Sequence, residues 1–76
     1  MAKAYLKVKV EAGKERSVRD ALLKFDEVKR ADLTTGDQDI LVLIEAPSYE
    51  DILGIVVDRL RALKGVKSTE TNLILE

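Results

Sequence analysis

The sequence has no cysteine, no histidine and no tryptophan, and only one phenylalanine. The missing cysteine excludes disulfides and thiolate chemistry. The missing histidine removes the commonest metal ligand and the commonest general base. Seventy-six residues make one domain, and a domain of this size buries only about 60% of the surface that its unfolded chain exposes. Small domains are commonly reinforced by disulfides, a metal or oligomerisation. Association with other copies is the reinforcement that remains.

An excess of either charge is missing too. The 13 basic and 14 acidic residues are scattered along the chain, for a formal net charge of -1. No basic stripe tracks a phosphate backbone, so direct contact with nucleic acid is not expected. The opening "MAKAYLKVKV" lacks the uninterrupted apolar stretch of a leader, and nowhere do about 18 apolar residues run together. The composition points to a cytoplasmic domain without a membrane partner.

What the chain does have is alternation. From Ala4 to Val10, Leu6, Val8 and Val10 fall on one face and Tyr5, Lys7 and Lys9 on the other, which predicts a strand. Gly13 breaks it. Between Lys14 and Phe25 the apolar residues Val18, Ala21, Leu22 and Phe25 lay one stripe along a helix. A second strand is expected over Val28 to Thr34 and a third over Asp39 to Ala46, joined as an antiparallel hairpin by the turn Gly36-Asp37-Gln38-Asp39. Ser48 with Asp51 resembles a capping box, and Pro47 with Ile52 a hydrophobic staple. The second helix then starts near Tyr49, carries Ile52, Leu53, Val56, Leu60 and Leu63, and stops at Gly65. Val66 to Leu75 reads as the last strand.

The two halves echo each other. Val10-Glu11-Ala12 and Ile44-Glu45-Ala46 each end a strand, and Val28-Lys29 and Val66-Lys67 each open one. Two such units with right-handed crossovers make an α+β ferredoxin-like βαββαβ plait, a four-stranded antiparallel sheet with both helices on one face. This topology centres the first and third strands. The third is apolar on both faces, with Ile40, Val42 and Ile44 alternating with Leu41 and Leu43, yet the helices cover only one. A sheet face open to water is normally polar, and an exposed apolar one marks an interaction surface. The expectation is a dimer through the open face, a dimeric α-β sandwich.

The residues also carry a resemblance. "VKRADLTTGDQDILV" from Val28 to Val42 and "LKGVKSTETNLIL" from Leu63 to Leu75 resemble the C-terminal effector-binding domain of the leucine-responsive regulatory protein/asparagine regulator (Lrp/AsnC) family, also called the regulation-of-amino-acid-metabolism (RAM) domain. The opening "AYLKVKVEAGKERSVRDAL" extends the likeness over nearly the whole chain. The resemblance implies a plait dimer built by sheet-to-sheet packing, dimers joined into octamer-like rings, no cofactor, and amino-acid effectors in clefts between dimers. Its T-G-x-x-D hairpin falls on Thr35, Gly36 and Asp39, with Leu33, Thr34, Asp37 and Gln38 alongside, and Thr69 and Thr71 of the last strand are further candidates for the cleft. Family members carry a helix-turn-helix domain ahead of this one. None is recognisable here, so residues 1–76 read as a single stand-alone effector domain that cooperates with full-length regulators.

An amino acid presents an ammonium and a carboxylate. Asp39 is a candidate acceptor for the first, and the Thr34 and Thr35 hydroxyls with backbone N–H groups near Gly36 are candidate donors to the second. Asp39 has a plainer reading, in which its side chain bonds nearby backbone N–H groups and pins the hairpin. Calcium binding by Asp37-Gln38-Asp39 is disfavoured, since the loop lacks the length and closing Glu of a calcium hand. Gly54, inside a helix, costs around 1 kcal/mol against Ala, which points to close packing there.

Other functions use the same plait. Small cofactor-free enzymes of the dimeric α/β-barrel type often rely on His, Trp or Asn; His and Trp are absent, and Ser17, Ser48 and Ser68 each have a structural explanation. The amino-acid-binding ACT domains place a D-x-x-G-x-L pattern after the first strand, where "VEAGKERSV" lacks both the Asp and the Leu. The expected function is non-catalytic, regulatory small-molecule binding without a metal.

Overall fold

The computed structural model describes residues 1–76, and the period-two pattern at the start does form a strand. In β1 (Ala2–Val10), Ala4, Leu6, Val8 and Val10 are buried while Lys3, Tyr5, Lys7 and Lys9 are exposed. Then follow α1 (Glu15–Leu22), β2 (Val28–Leu33), β3 (Ile40–Ala46), α2 (Tyr49–Ile55), a π-helical turn (Val56–Leu60) and β4 (Val66–Ile74). The strands pair antiparallel in the order β2-β3-β1-β4. This is the ferredoxin-like plait, with the first and third strands central.

The helix-side face of β1 and β3 supplies Leu6, Val8, Ile40, Val42 and Ile44 to the core. Val18 and Leu22 of α1, Ile52 of α2, and Val56 and Leu60 of the π-helical turn close over them. Removing such side chains from water is the main stabilising term, about 1.5–3 kcal/mol each. No polar or charged residue lies in this core. The Ser48 hydroxyl caps α2, accepting from the Asp51 N–H at 3.1 Å and so satisfying one of the helix's orphan donors.

The strands keep their expected bounds to within two residues, and the two helices depart further. α1 ends at Leu22 rather than Phe25, because the N–H groups of Lys24 and Phe25 bond three residues back, to Ala21 and Leu22, in a tighter turn. The second helix is regular only to Ile55, and beyond it the Arg61 N–H reaches Val56 O at 3.0 Å, five residues back. Ile52, Val56 and Leu60 are spaced by four throughout, and the wider turn keeps all three buried on one face. A Cβ built on Gly54 meets nothing within 4 Å, so packing inside the chain does not account for that glycine.

The open face is less apolar than the third strand alone suggests. Leu43 lies in a row with Arg30, Tyr5 and Asn72, and Leu41 in a row with Asp32, Lys7 and Glu70. The apolar strip is therefore Tyr5, Leu41 and Leu43, with Ile74 at a corner, and charges of both signs flank it.

Candidate functional site at the hairpin

The hairpin between β2 and β3 is held by its own polar groups. The Thr34 N–H donates to Asp39 O at 2.9 Å, and the Thr34 hydroxyl donates to Gln38 O at 3.1 Å. Gly36 at the tip has φ of 103°, a left-handed conformation that glycine adopts without steric cost. Thr35, Gly36 and Asp37 are exposed.

Asp39 fastens this loop to the central strand. Its N–H donates to Val8 O at 2.9 Å, and its Oδ2 accepts from the Val10 N–H at 2.9 Å. Paired residues of β1 and β3 end at Val8 and Ile40, so the carboxylate serves as an acceptor where the ladder has stopped. At the same place the register of β1 against β4 shifts, between Lys9 and Val10. A charge-assisted bond of this kind is stronger than a neutral one. One carboxylate oxygen of Asp39 is thus engaged by the fold, and the partner lies 29 residues away rather than within the turn.

Beside the hairpin, on the open face, is a cavity of about 210 Å³ lined by Lys7, Lys9, Asp37, Gln38, Ser68, Thr69 and Glu70. No hydrophobic residue is among those that line it. The only ion pairs in the molecule are Arg19–Asp20 and Arg30–Asp32, so the two ammonium and two carboxylate groups of the cavity are not paired with one another. Of the residues singled out from sequence, Asp37, Gln38 and Thr69 line this cavity; Leu33, Thr34, Thr35, Gly36, Asp39 and Thr71 do not. Thr69 and Thr71 pair with Val8 and Leu6, so their side chains share the helix-side face. Thr69 borders the cavity from the strand edge. Leu33, paired with Ile40, ends β2 partly exposed.

Sequence reasoning missed Lys7, Lys9, Ser68 and Glu70 as candidates. The alternation of β1 puts both lysines on the open face, but only the β1–β4 register shows that Glu70 lies opposite Lys7 and Ser68 opposite Lys9. A larger groove, about 520 Å³, lies between α1 and the π-helical turn, where the Arg59 guanidinium sits 4.7 Å from the centre of the Phe25 ring. It is remote from the hairpin and brings together none of the predicted residues. No group of three His, Cys, Asp or Glu residues is placed to hold a metal ion, and no helix is long and apolar enough to cross a membrane.

Comparison with known proteins agrees with the fold. The HTH-type transcriptional regulator FL11 of Pyrococcus abyssi is 34% identical over 73 residues, covering 96% of this chain and 48% of the regulator. The chain therefore spans about half the length of the curated regulators it matches. A segment making up 13% of a homocitrate synthase from Sulfolobus acidocaldarius is 40% identical over 60 residues, 79% of this chain. Among solved structures, FFRP-DM1 superposes with a TM-score of 0.94 at 29% identity, covering 99% of this chain and 100% of that one. The fold alone is shared with the transcriptional regulator NMB0573/L-Met complex from Neisseria meningitidis, at a TM-score of 0.87 and 23% identity over 99% of this chain and 50% of the other. The family model of the Lrp/AsnC ligand binding domain matches residues 3–76, and with the plait and hairpin already described, the chain belongs to that family of regulatory ligand-binding domains.

Proposed function

We propose that the chain is a non-catalytic amino-acid sensor that works as an oligomer. Its effector sits against the β2–β3 hairpin, in the cavity bordered by Asp37, Gln38 and Thr69, with Leu33, Thr34, Thr35, Gly36, Asp39 and Thr71 shaping the surrounding cleft. The observation that carries this reading is the pairing of unneutralised ammonium and carboxylate groups in one small cavity beside the hairpin. That arrangement suits a zwitterion, which needs a cation for one end and an anion for the other. The L-Met in the Neisseria regulator complex supports an amino acid as the ligand class.

Copies of the chain meet through the strip of Tyr5, Leu41 and Leu43, and dimers join further into a ring whose clefts hold the effector. Residues 1–76 act as a single ligand-binding domain, and contact with DNA is brought by full-length Lrp/AsnC-type regulators in mixed assemblies. Ligand binding at a subunit interface stabilises the assembly by mass action, which couples effector level to oligomeric state. The matching segment of the homocitrate synthase is a small part of that enzyme, which fits a regulatory attachment better than a catalytic centre. The alternative of a small cofactor-free enzyme of the dimeric α/β-barrel type is weaker, because the cavity holds no histidine or tryptophan.

Calorimetry against the proteinogenic amino acids, run with light scattering, tests the proposal. It expects saturable binding by at least one amino acid together with a change in assembly. A complete absence of binding would overturn it.

A further inference from the structure

We infer that the groove between α1 and the π-helical turn is a second ligand site, one that takes an organic monocarboxylate with an apolar body. It lies in the helix layer, away from both the hairpin and the open sheet face, so the inference does not depend on the sensor reading. At about 520 Å³ it is the largest concavity in the molecule and has the size of a small-molecule site. Phe25 and Leu63 form its apolar floor, and both also pack against the core. A floor backed in this way keeps its shape.

Arg59 supplies the recognition. Its guanidinium stands 4.7 Å from the centre of the Phe25 ring, and cation–π attraction holds the long side chain there. Neither Arg59 nor Lys24 belongs to an ion pair, although Asp26 and Glu27 line the same groove. A guanidinium held in place without a carboxylate partner is ready to donate to both oxygens of one. The local backbone sets up this placement. Ile55, Arg59 and Leu63 are spaced by four along one flank of the second helix, beside the buried Val56 and Leu60. The π-helical turn carries Arg59 on that flank, and wide turns of this kind recur at functional sites.

The neighbours of Arg59 define the ligand. A carboxylate bound by Arg59, with Lys24 nearby, leaves an apolar body to cover Phe25 and Leu63 and remove them from water. A second negative charge in a groove of this size would stand close to Asp26 or Glu27, so dianions are disfavoured. A neutral amide of the same shape would forfeit the charge-assisted bonds.

Calorimetry on the wild-type protein with benzoate, hexanoate, benzamide, phthalate and inorganic phosphate tests the site. Benzoate or hexanoate should bind saturably, and about ten-fold or more tighter than each of the other three. Arg59→Gln should abolish that advantage, and Arg59→Lys should fail to restore it, because an ammonium lacks the planar fork. Arg59 is exposed, so both variants should fold, as circular dichroism can verify. Asp37→Asn, at the hairpin, should leave the affinities unchanged. Benzamide, phthalate or phosphate binding as tightly as the monocarboxylates would overturn the inference. So would an unchanged affinity in Arg59→Gln, a loss in Asp37→Asn, or no saturable binding of either monocarboxylate. Each of these outcomes leaves the amino-acid titrations of the sensor reading to stand or fall separately.

Discussion

The main-chain N–H of Val10 donates to the carboxylate of Asp39 at 2.9 Å, tying the tip of the hairpin to the end of the central strand. Val10 is buried, and its amide lies where β1 departs from its register with β4. Asp39→Ala leaves that amide without its acceptor and should cost about 1–3 kcal/mol. Asp39→Asn keeps an acceptor oxygen and should cost less. Urea unfolding of both variants checks this, through a lower midpoint at an unchanged slope. If the alanine variant were as stable as the parent, Asp39 would have no part in the fold, and its carboxylate would be wholly available to a ligand.

Gly54→Ala should stabilise the isolated domain. The helix carries no positive φ at this position, and an added Cβ meets nothing within 4 Å. The gain should be about 0.8–1 kcal/mol of helix propensity, or a rise of roughly 4–8 °C in Tm for a domain of this size. Thermal unfolding across a range of protein concentrations reads it. A loss of stability that grows with assembly would show instead that another copy packs against this stretch of α2.

Gly65→Ala should act in the opposite direction. Gly65 has φ of 96°, and its Cβ would stand 3.0 Å from Val18 Cγ2 and 3.1 Å from Lys14 Cβ. Val18 is buried in the core, so it has little room to yield. Left-handed strain and overpacking each cost on the order of 1–3 kcal/mol. A Tm at or above that of the parent would refute the crowding.

The contrast between these glycines shows what sequence can and cannot reveal. Alternation in β1 and the unbroken apolar run of β3 marked the central strands, and the sequential order of elements was enough for the sheet topology, because crossover handedness leaves few alternatives. Ser48 announced its helix through capping chemistry that is local in sequence. Gly65 reads as a helix stop and Gly54 as a helix interior, but only the structure shows that Gly65 abuts Val18 and that Gly54 has open space around it. The π-helical turn was hidden because Ile52, Val56 and Leu60 satisfy a helical stripe whether the turn holds four residues or five. The site was half legible. Asp37 and Gln38 announce a turn by composition, but the place of Lys7 and Glu70 beside it depends on a strand register that no local pattern encodes. The attachment of Asp39 to Val10 is likewise a contact across 29 residues.

Leu43→Glu tests how copies of the chain meet. Leu43 and Leu41 are only half-buried in the single chain, and Tyr5 is 46% exposed beside them. In a face-to-face dimer both protomers would bury this strip, worth about 1.5–3 kcal/mol for each leucine fully removed from water. A carboxylate placed in the middle of that contact would lose its hydration without gaining a partner, an added cost. In the separated chain the same carboxylate would stay in water next to Arg30, its neighbour across β2 and β3, so the fold should survive. Light scattering should therefore find the parent as a multiple of 8.5 kDa and the variant at 8.5 kDa, with matching circular dichroism spectra. If the parent is itself a single 8.5 kDa particle, the open face has no partner in its own chain and the flanking charges alone keep it soluble. If the variant assembles as the parent does, the copies meet elsewhere, and the stripe of Tyr49, Leu53 and Val57 on the second helix, exposed at 37%, 43% and 58%, becomes the surface to test next.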